Sequence, residues 1–113
     1  MGDAGMLVGW DRVASGREAV AEEMFNEMVT WLRAQHAAGR IQSFEPVVLG
    51  AHGGRLNGFF LVRGEQAGLD HLRNSEEFLA LVVRANKNLE GFCVLRAHFG
   101  REVEKLRRLY ATL

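Results

Sequence analysis

Residues 51–58, Ala-His-Gly-Gly-Arg-Leu-Asn-Gly, gather an imidazole, a guanidinium and a carboxamide around a pair of glycines. Two kinds of chemistry use loops of this composition. An oxyanion loop needs a G-x-S-x-G nucleophile elbow to supply the attacking serine, and the chain contains none. A phosphate loop needs a lysine and a serine or threonine after its glycines, with a helix to follow. Here the strand-like run GFFLVRG follows instead. The stretch therefore reads as a turn between two strands, with Gly53 and Gly54 tolerating the positive φ that tight turns demand.

The four histidines, His36, His52, His71 and His98, show no i, i+2 or i, i+4 pair, and Cys93 is the only cysteine. Metal-ligand spacing is absent, an intrachain disulfide is excluded, and neither a metal nor a cofactor is expected. His52 and His98 fall near strand ends, where an imidazole could move a proton. They are the candidates for acid–base work, weighed against a plain role as hydrogen-bonded rim residues. Trp10 and Phe59 could wall a flat molecule, with Asn57 nearby, although core packing is the commoner use of such aromatics. Arg63 and Arg96 lie in strand-like runs. A guanidinium drawn out of water needs an anion, so each is expected to meet a carboxylate from a mate or from a small acidic ligand.

These groups need a scaffold, and 113 residues are enough for a single domain, 1–113, with a core of its own. Apolar residues make up 48% and charged residues 25%, the balance of an ordinary globular protein. Lys plus Arg and Asp plus Glu number 14 each, so no basic excess marks a nucleic-acid binder. No apolar run approaches the roughly 20 residues of a membrane span, and MGDAGMLVGW has no basic leader region. Expected partners exclude nucleic acid and membrane, and the expected location is the cytoplasm.

MLVGWD at 6–11 alternates like a strand. Ser15 and Glu18 fit a capping box ahead of an amphipathic helix that carries Ala21, Met24, Phe25, Met28 and Leu32 on one side and ends at Gly39. Residues 44–52 and 55–64 read as the second and third strands, with Pro46 at a strand start or a sheet edge. A short helical segment around residues 69–74 follows. Asn74 then caps a second long helix whose buried stripe is Phe78, Leu81, Val82 and Ala85. Residues 91–100 form the fourth strand. A tail helix from Arg101 carries Val103, Leu106, Tyr110 and Leu113 on one side and a basic rim of Arg101, Lys105, Arg107 and Arg108.

The order gives an α+β, split βαββαβ arrangement, a four-stranded antiparallel sheet with both long helices on one face and an extra C-terminal helix. Alternation assigns the helix-free face. Phe59, Leu61, Asn57 and Arg63 are expected there from the third strand, and Phe92, Val94, Arg96 and His98 from the fourth. Trp10, Val8 and Met6 are expected to join them from the first, which would turn Cys93 toward the helices. The second strand is apolar on both sides, and its facing stays open. So apolar a face requires cover, and the simplest is a second copy stacked across a two-fold axis.

With its element order, its NSEEF helix start and its GFCVLRAHFG final strand, the chain resembles the dimeric α/β-barrel superfamily of ferredoxin-like domains. That superfamily includes antibiotic-biosynthesis-type monooxygenases and stress-responsive barrel proteins. The resemblance implies a homodimer binding a small organic molecule, aromatic or anionic, between its stacked sheets. The alternative is a cofactor-independent monooxygenase or isomerase acting on an aromatic or polyketide-like substrate. Whether the chain is an enzyme stays open. Two other uses of this fold are set aside. NGFFLVRG and MLVGWD lack the paired aromatic-basic motifs of RNA recognition, and DRVASGREA is no glycine-flanked arginine loop of the acylphosphatase kind.

Overall fold

A computed structural model describes residues 2–113; Met1, the first residue of the expected domain, lies outside the described residues. In chain order the elements are β1 (Ala4–Trp10), β2 (Arg12–Val13), α1 (Glu18–Ala37), β3 (Ser43–Val48), β4 (Gly58–Gly64), α2 (Gln66–Arg73), α3 (Glu76–Asn88), β5 (Leu89–Glu90), β6 (Cys93–His98) and α4 (Arg101–Thr112). β3, β4, β1 and β6 form an antiparallel sheet in that order. Both split βαβ units are present. β2 and β5, which the sequence pattern did not show, pair as a separate two-stranded ribbon beside the sheet.

One layer of helices covers one side of the sheet. Met28 and Leu32 of α1, Leu69 and Leu72 of α2, and Phe78 of α3 meet Met6, Val8, Phe60 and Val62 in a continuous core. The helices form where their apolar stripes predict. Ser75, however, is the cap of α3, with its hydroxyl accepting from the Phe78 N–H at 3.2 Å, while Asn74 closes the preceding helix onto the Asp70 carbonyl. At the start of α1 the cap position is Arg17, preceded by Gly16 at φ 79°, and no side chain satisfies the first turn. Gly39 does end α1 in the left-handed conformation, at φ 75°. Pro46 sits on edge strand β3, where its missing N–H costs no ladder bond.

The register corrects two of the three facing assignments. Side chains directly opposite each other in an antiparallel pair share a face. Met6 opposes Val62 and Arg96, and Val8 opposes Phe60 and Val94, so all six point toward the helices. Trp10, Met6 and Val8 therefore leave the open face, and so do Phe92, Val94, Arg96 and His98. Taking their place are Gly5, Leu7 and Gly9 from β1 and Cys93, Leu95 and Ala97 from β6, while Phe59, Leu61 and Arg63 stay where alternation put them. β3 contributes Ser43, Glu45 and Val47.

The physical reason differs between the two strands. β6 is an edge strand, so Arg96 on its helix-facing side still reaches water and lies 3.9 Å from Asp70 of α2. In β1 the glycines decide. Gly5 and Gly9 cannot fill a helix–sheet layer, and the larger set, Met6, Val8 and Trp10, does. Where a side chain at Gly5 would stand, the Phe99 ring lies across the sheet; Leu56 covers Gly9 in the same way.

Candidate functional site

The open face stays broadly apolar with its revised membership. Leu7, Phe59, Leu61 and Val47 are half-buried, and Leu95 is 53% exposed. Its arginine is already engaged. Arg63 lies 4.6 Å above the Phe99 ring, donates from Nε to the Gly2 carbonyl at 3.0 Å, and stands 3.6 Å from Asp3. The anion expected to meet this guanidinium comes from its own chain. That of Arg96, 3.9 Å away, is Asp70, also from the same chain.

A concave site lies on the other side of the sheet. Between α1, α3, strands β1 and β4 and the β2–β5 ribbon is a cavity of about 220 Å³. Trp10, Phe25, Phe60 and Phe92 form much of its wall, with Met24, Met28 and Leu81 between them. The aromatic part is built by stacking. Phe25 and Phe60 have centroids 5.0 Å apart, Trp10 stands 5.8 Å from Phe60, and Trp10 meets Phe25 edge-on at 6.3 Å and 86°. The indole can lie flat there because residue 58 is glycine; a Cβ at Gly58 would run into the six-membered ring of Trp10.

Polar groups are confined to the mouth, where Glu18, Glu22 and Arg84 complete the lining. Arg84 of α3 reaches across to α1 and pairs with Glu27, and with Glu23 at 3.4 Å. Its bond to Glu27 raises the guanidinium further above its ordinary pKa, and both glutamates add attraction. Trp31 forms a second clasp between the same helices, donating to Glu77 Oε2 at 2.9 Å and stacking on Phe78. Two helix-to-helix ties thus hold α1 and α3 over the sheet while the space between them stays open. Among the described residues no buried side-chain nitrogen or oxygen lacks a partner.

The loop between β3 and β4 is longer than a hairpin turn and is pinned from outside. Leu56, at φ 60°, is held by its N–H to Asp11 Oδ1 at 2.7 Å. Asn57 donates its amide to the Asp11 carbonyl and its backbone N–H to the Trp10 carbonyl. His52 accepts from the Gly54 N–H through Nδ1 at 3.1 Å, which leaves the proton on Nε2 facing the Leu56 carbonyl at 3.1 Å.

The candidates from the sequence are therefore scattered. Trp10 lines the cavity and Asn57 fastens the adjoining loop. Phe59 and Arg63 occupy the opposite face of the sheet. Arg96 and His98 sit on edge strand β6, His98 paired with Ala4. His52 is an exposed loop brace. Cys93 is half-buried on the open face rather than under the helices. Sequence reasoning missed Phe25, Phe60 and Phe92 as site residues, since Phe25 and Phe60 looked like core and Phe92 was assigned to the open face. Their signal was the clustering of four large rings against a single glycine, which only the strand register brings together. Among the described residues no group of three or more His, Cys, Asp or Glu comes together to hold a metal.

Comparison with solved structures addresses the architecture. The chain is similar to a dimeric protein of unknown function with a ferredoxin-like fold from Bacteroides fragilis, with TM-score 0.61, 13% identity, and 86% of this chain and 97% of that one covered. The fold is ferredoxin-like. A dimeric ferredoxin-like protein of unknown function from Thermobifida fusca aligns at TM-score 0.61 and 12% identity over 88% and 93% of the two chains. A Pseudomonas aeruginosa protein aligns at 0.62 and 17% over 87% and 95%. No family model matches the chain, and no curated protein matches it.

Proposed function

We propose that the protein binds a small, largely apolar molecule in the Trp10 cavity and works as a homodimer joined through its open sheet faces. The observation that carries the ligand half is the cavity wall. Four aromatic rings and two methionines surround an open space, and the polar groups are kept to its entrance. Pockets for organic ligands have this character. At about 220 Å³ the space exceeds the roughly 150 Å³ apolar cavity that admits benzene in an engineered core, so one or two rings fit. This moves the ligand from between stacked sheets to between sheet and helices. Binding is favoured over turnover because the ionisable groups of the lining are Glu18, Glu22 and Arg84, all at the mouth, with the arginine already paired. An aromatic or aliphatic ligand suits the wall better than an anion.

The dimer half is supported by the apolar open face and by the descriptions of the Bacteroides and Thermobifida proteins as dimeric.

The test of binding uses 1-aminonaphthalene, an uncharged two-ring fluorophore. Titration should give saturable binding at one probe per chain. Ala21→Phe, which pushes a ring into the space from α1, should abolish it while leaving the far-UV circular dichroism unchanged. Absence of saturable binding, or undiminished binding to folded Ala21→Phe, would defeat the proposal.

A further inference from the structure

The mouth of the Trp10 cavity is acidic. Its ionisable groups are Glu18 and Glu22 of α1 and Arg84 of α3, and the arginine is committed to Glu27 and Glu23. Glu18 and Glu22 are exposed, and neither side chain forms an ion pair or a hydrogen bond with any described residue. Four glutamates of one helix thus share a single arginine.

Glu18 has a local reason to be where it is, since the positive end of a helix favours a carboxylate in the first turn. Glu22, a full turn further on, gains little from that. It also stands at i+4 from Glu18, where like charges disfavour each other. Arg17, at the cap position, lies outside the cavity lining and pairs with neither. Nothing in the chain relieves the two carboxylates.

They are continuous with the aromatic wall. Glu18, Ala21, Glu22 and Phe25 recur at three- and four-residue spacings, so they share one side of α1, and all four line the cavity. The Phe25 ring follows Glu22 by one turn and packs edge-on against Trp10. A positive charge held by the carboxylates therefore has aromatic rings as its next neighbours, and ring faces attract cations as well.

We propose that the ligand is a cationic amphiphile: a body of one or two rings fills the cavity, and a protonated amine stays at the mouth against Glu18 and Glu22. This rests on the reading of the cavity as a ligand site and adds the charge of the ligand. A molecule headed by a carboxylate or phosphate would meet two unmatched anions at the entrance and no uncommitted guanidinium. A bare metal ion is no better suited, because among the described residues no three His, Cys, Asp or Glu side chains come together. An ammonium on an apolar body uses the whole lining. Its N–H groups donate to the carboxylates where water still reaches, and its rings go where the wall is apolar.

The test compares three ligands built on one two-ring body, by titration calorimetry on the full chain at neutral pH and low salt. They are 1-naphthylmethylamine, a cation; 1-naphthylmethanol, with a hydroxyl in place of the ammonium; and 1-naphthoate, an anion. The amine should bind about fivefold more tightly than the alcohol, the size expected of two exposed charge pairs. The naphthoate should bind more weakly than either. In Glu18→Gln/Glu22→Gln, a change at two exposed positions, the preference for amine over alcohol should disappear. An alcohol that binds the wild type as tightly as the amine, or a preference that survives in the glutamine variant, would overturn the charge assignment and leave the cavity reading standing. Amine binding that persists in Ala21→Phe would overturn it too, since adhesion to the acidic surface would then suffice. A wild-type chain that binds none of the three would sink the cavity reading and this inference together.

Discussion

Gly58 decides how much room the cavity has. The Trp10 indole lies over its backbone, so Gly58→Ala must tilt the ring out of its stack with Phe25 and Phe60. The expected cost is about 1–3 kcal/mol in urea unfolding, the usual range for overpacking, with weakened probe binding as well. Leu32, fully buried beneath α1, serves as the contrast. Leu32→Ala should cost about 2–5 kcal/mol and leave the affinity of the surviving folded protein unchanged, because Leu32 is not part of the cavity wall. Legibility in the sequence differed residue by residue. Phe60 and Val62 were placed correctly because their strand alternates cleanly with Phe59, Leu61 and Arg63. Trp10 was not, because a large aromatic in a short strand reads equally well as a wall of an exposed pocket or as part of a core.

Among the elements, the helices were legible because spacing alone sets which side they bury. Met24, Met28, Leu32 and Phe78 lie where periodicity predicts. Strand facing was less legible, since it depends on register and on which strand is at the edge. Arg96 looked like an open-face residue until β6 proved to be an edge strand. Capping behaved similarly. Asn74 and Ser75 are both competent caps, and only the backbone shows the Ser75 hydroxyl accepting from Phe78. Ser75→Ala should therefore destabilise the protein by about 1 kcal/mol in thermal or urea unfolding, and Asn74→Ala by less. The β3–β4 loop makes a separate prediction. Asp11 holds the left-handed Leu56 by its N–H, so Asp11→Ala should speed amide exchange through residues 50–57 while leaving the α1 amides protected.

For the whole molecule, the sheet has two sides with different tasks. Helices cover one side incompletely and leave an aromatic space; the other side is broadly apolar and carries no helix of the α1–α3 layer. That this side of the sheet would be apolar was readable from composition, although Gly5, Leu7, Leu95 and Cys93 rather than Trp10 and Val94 make up the surface. The sequence did not show on which side a ligand would sit, because that requires knowing which rings face each other. Leu61→Glu, a charge at the centre of the open face, should yield monomers in sedimentation velocity and spare the cavity. The most direct test of the ligand's position is an isotope-filtered NOE experiment on the complex with 1-aminonaphthalene. The account predicts contacts from the probe to the methyl groups of Met24 and Met28. Contacts to the methyls of Leu7, Leu61 and Leu95 instead would place the ligand between stacked sheets and contradict it.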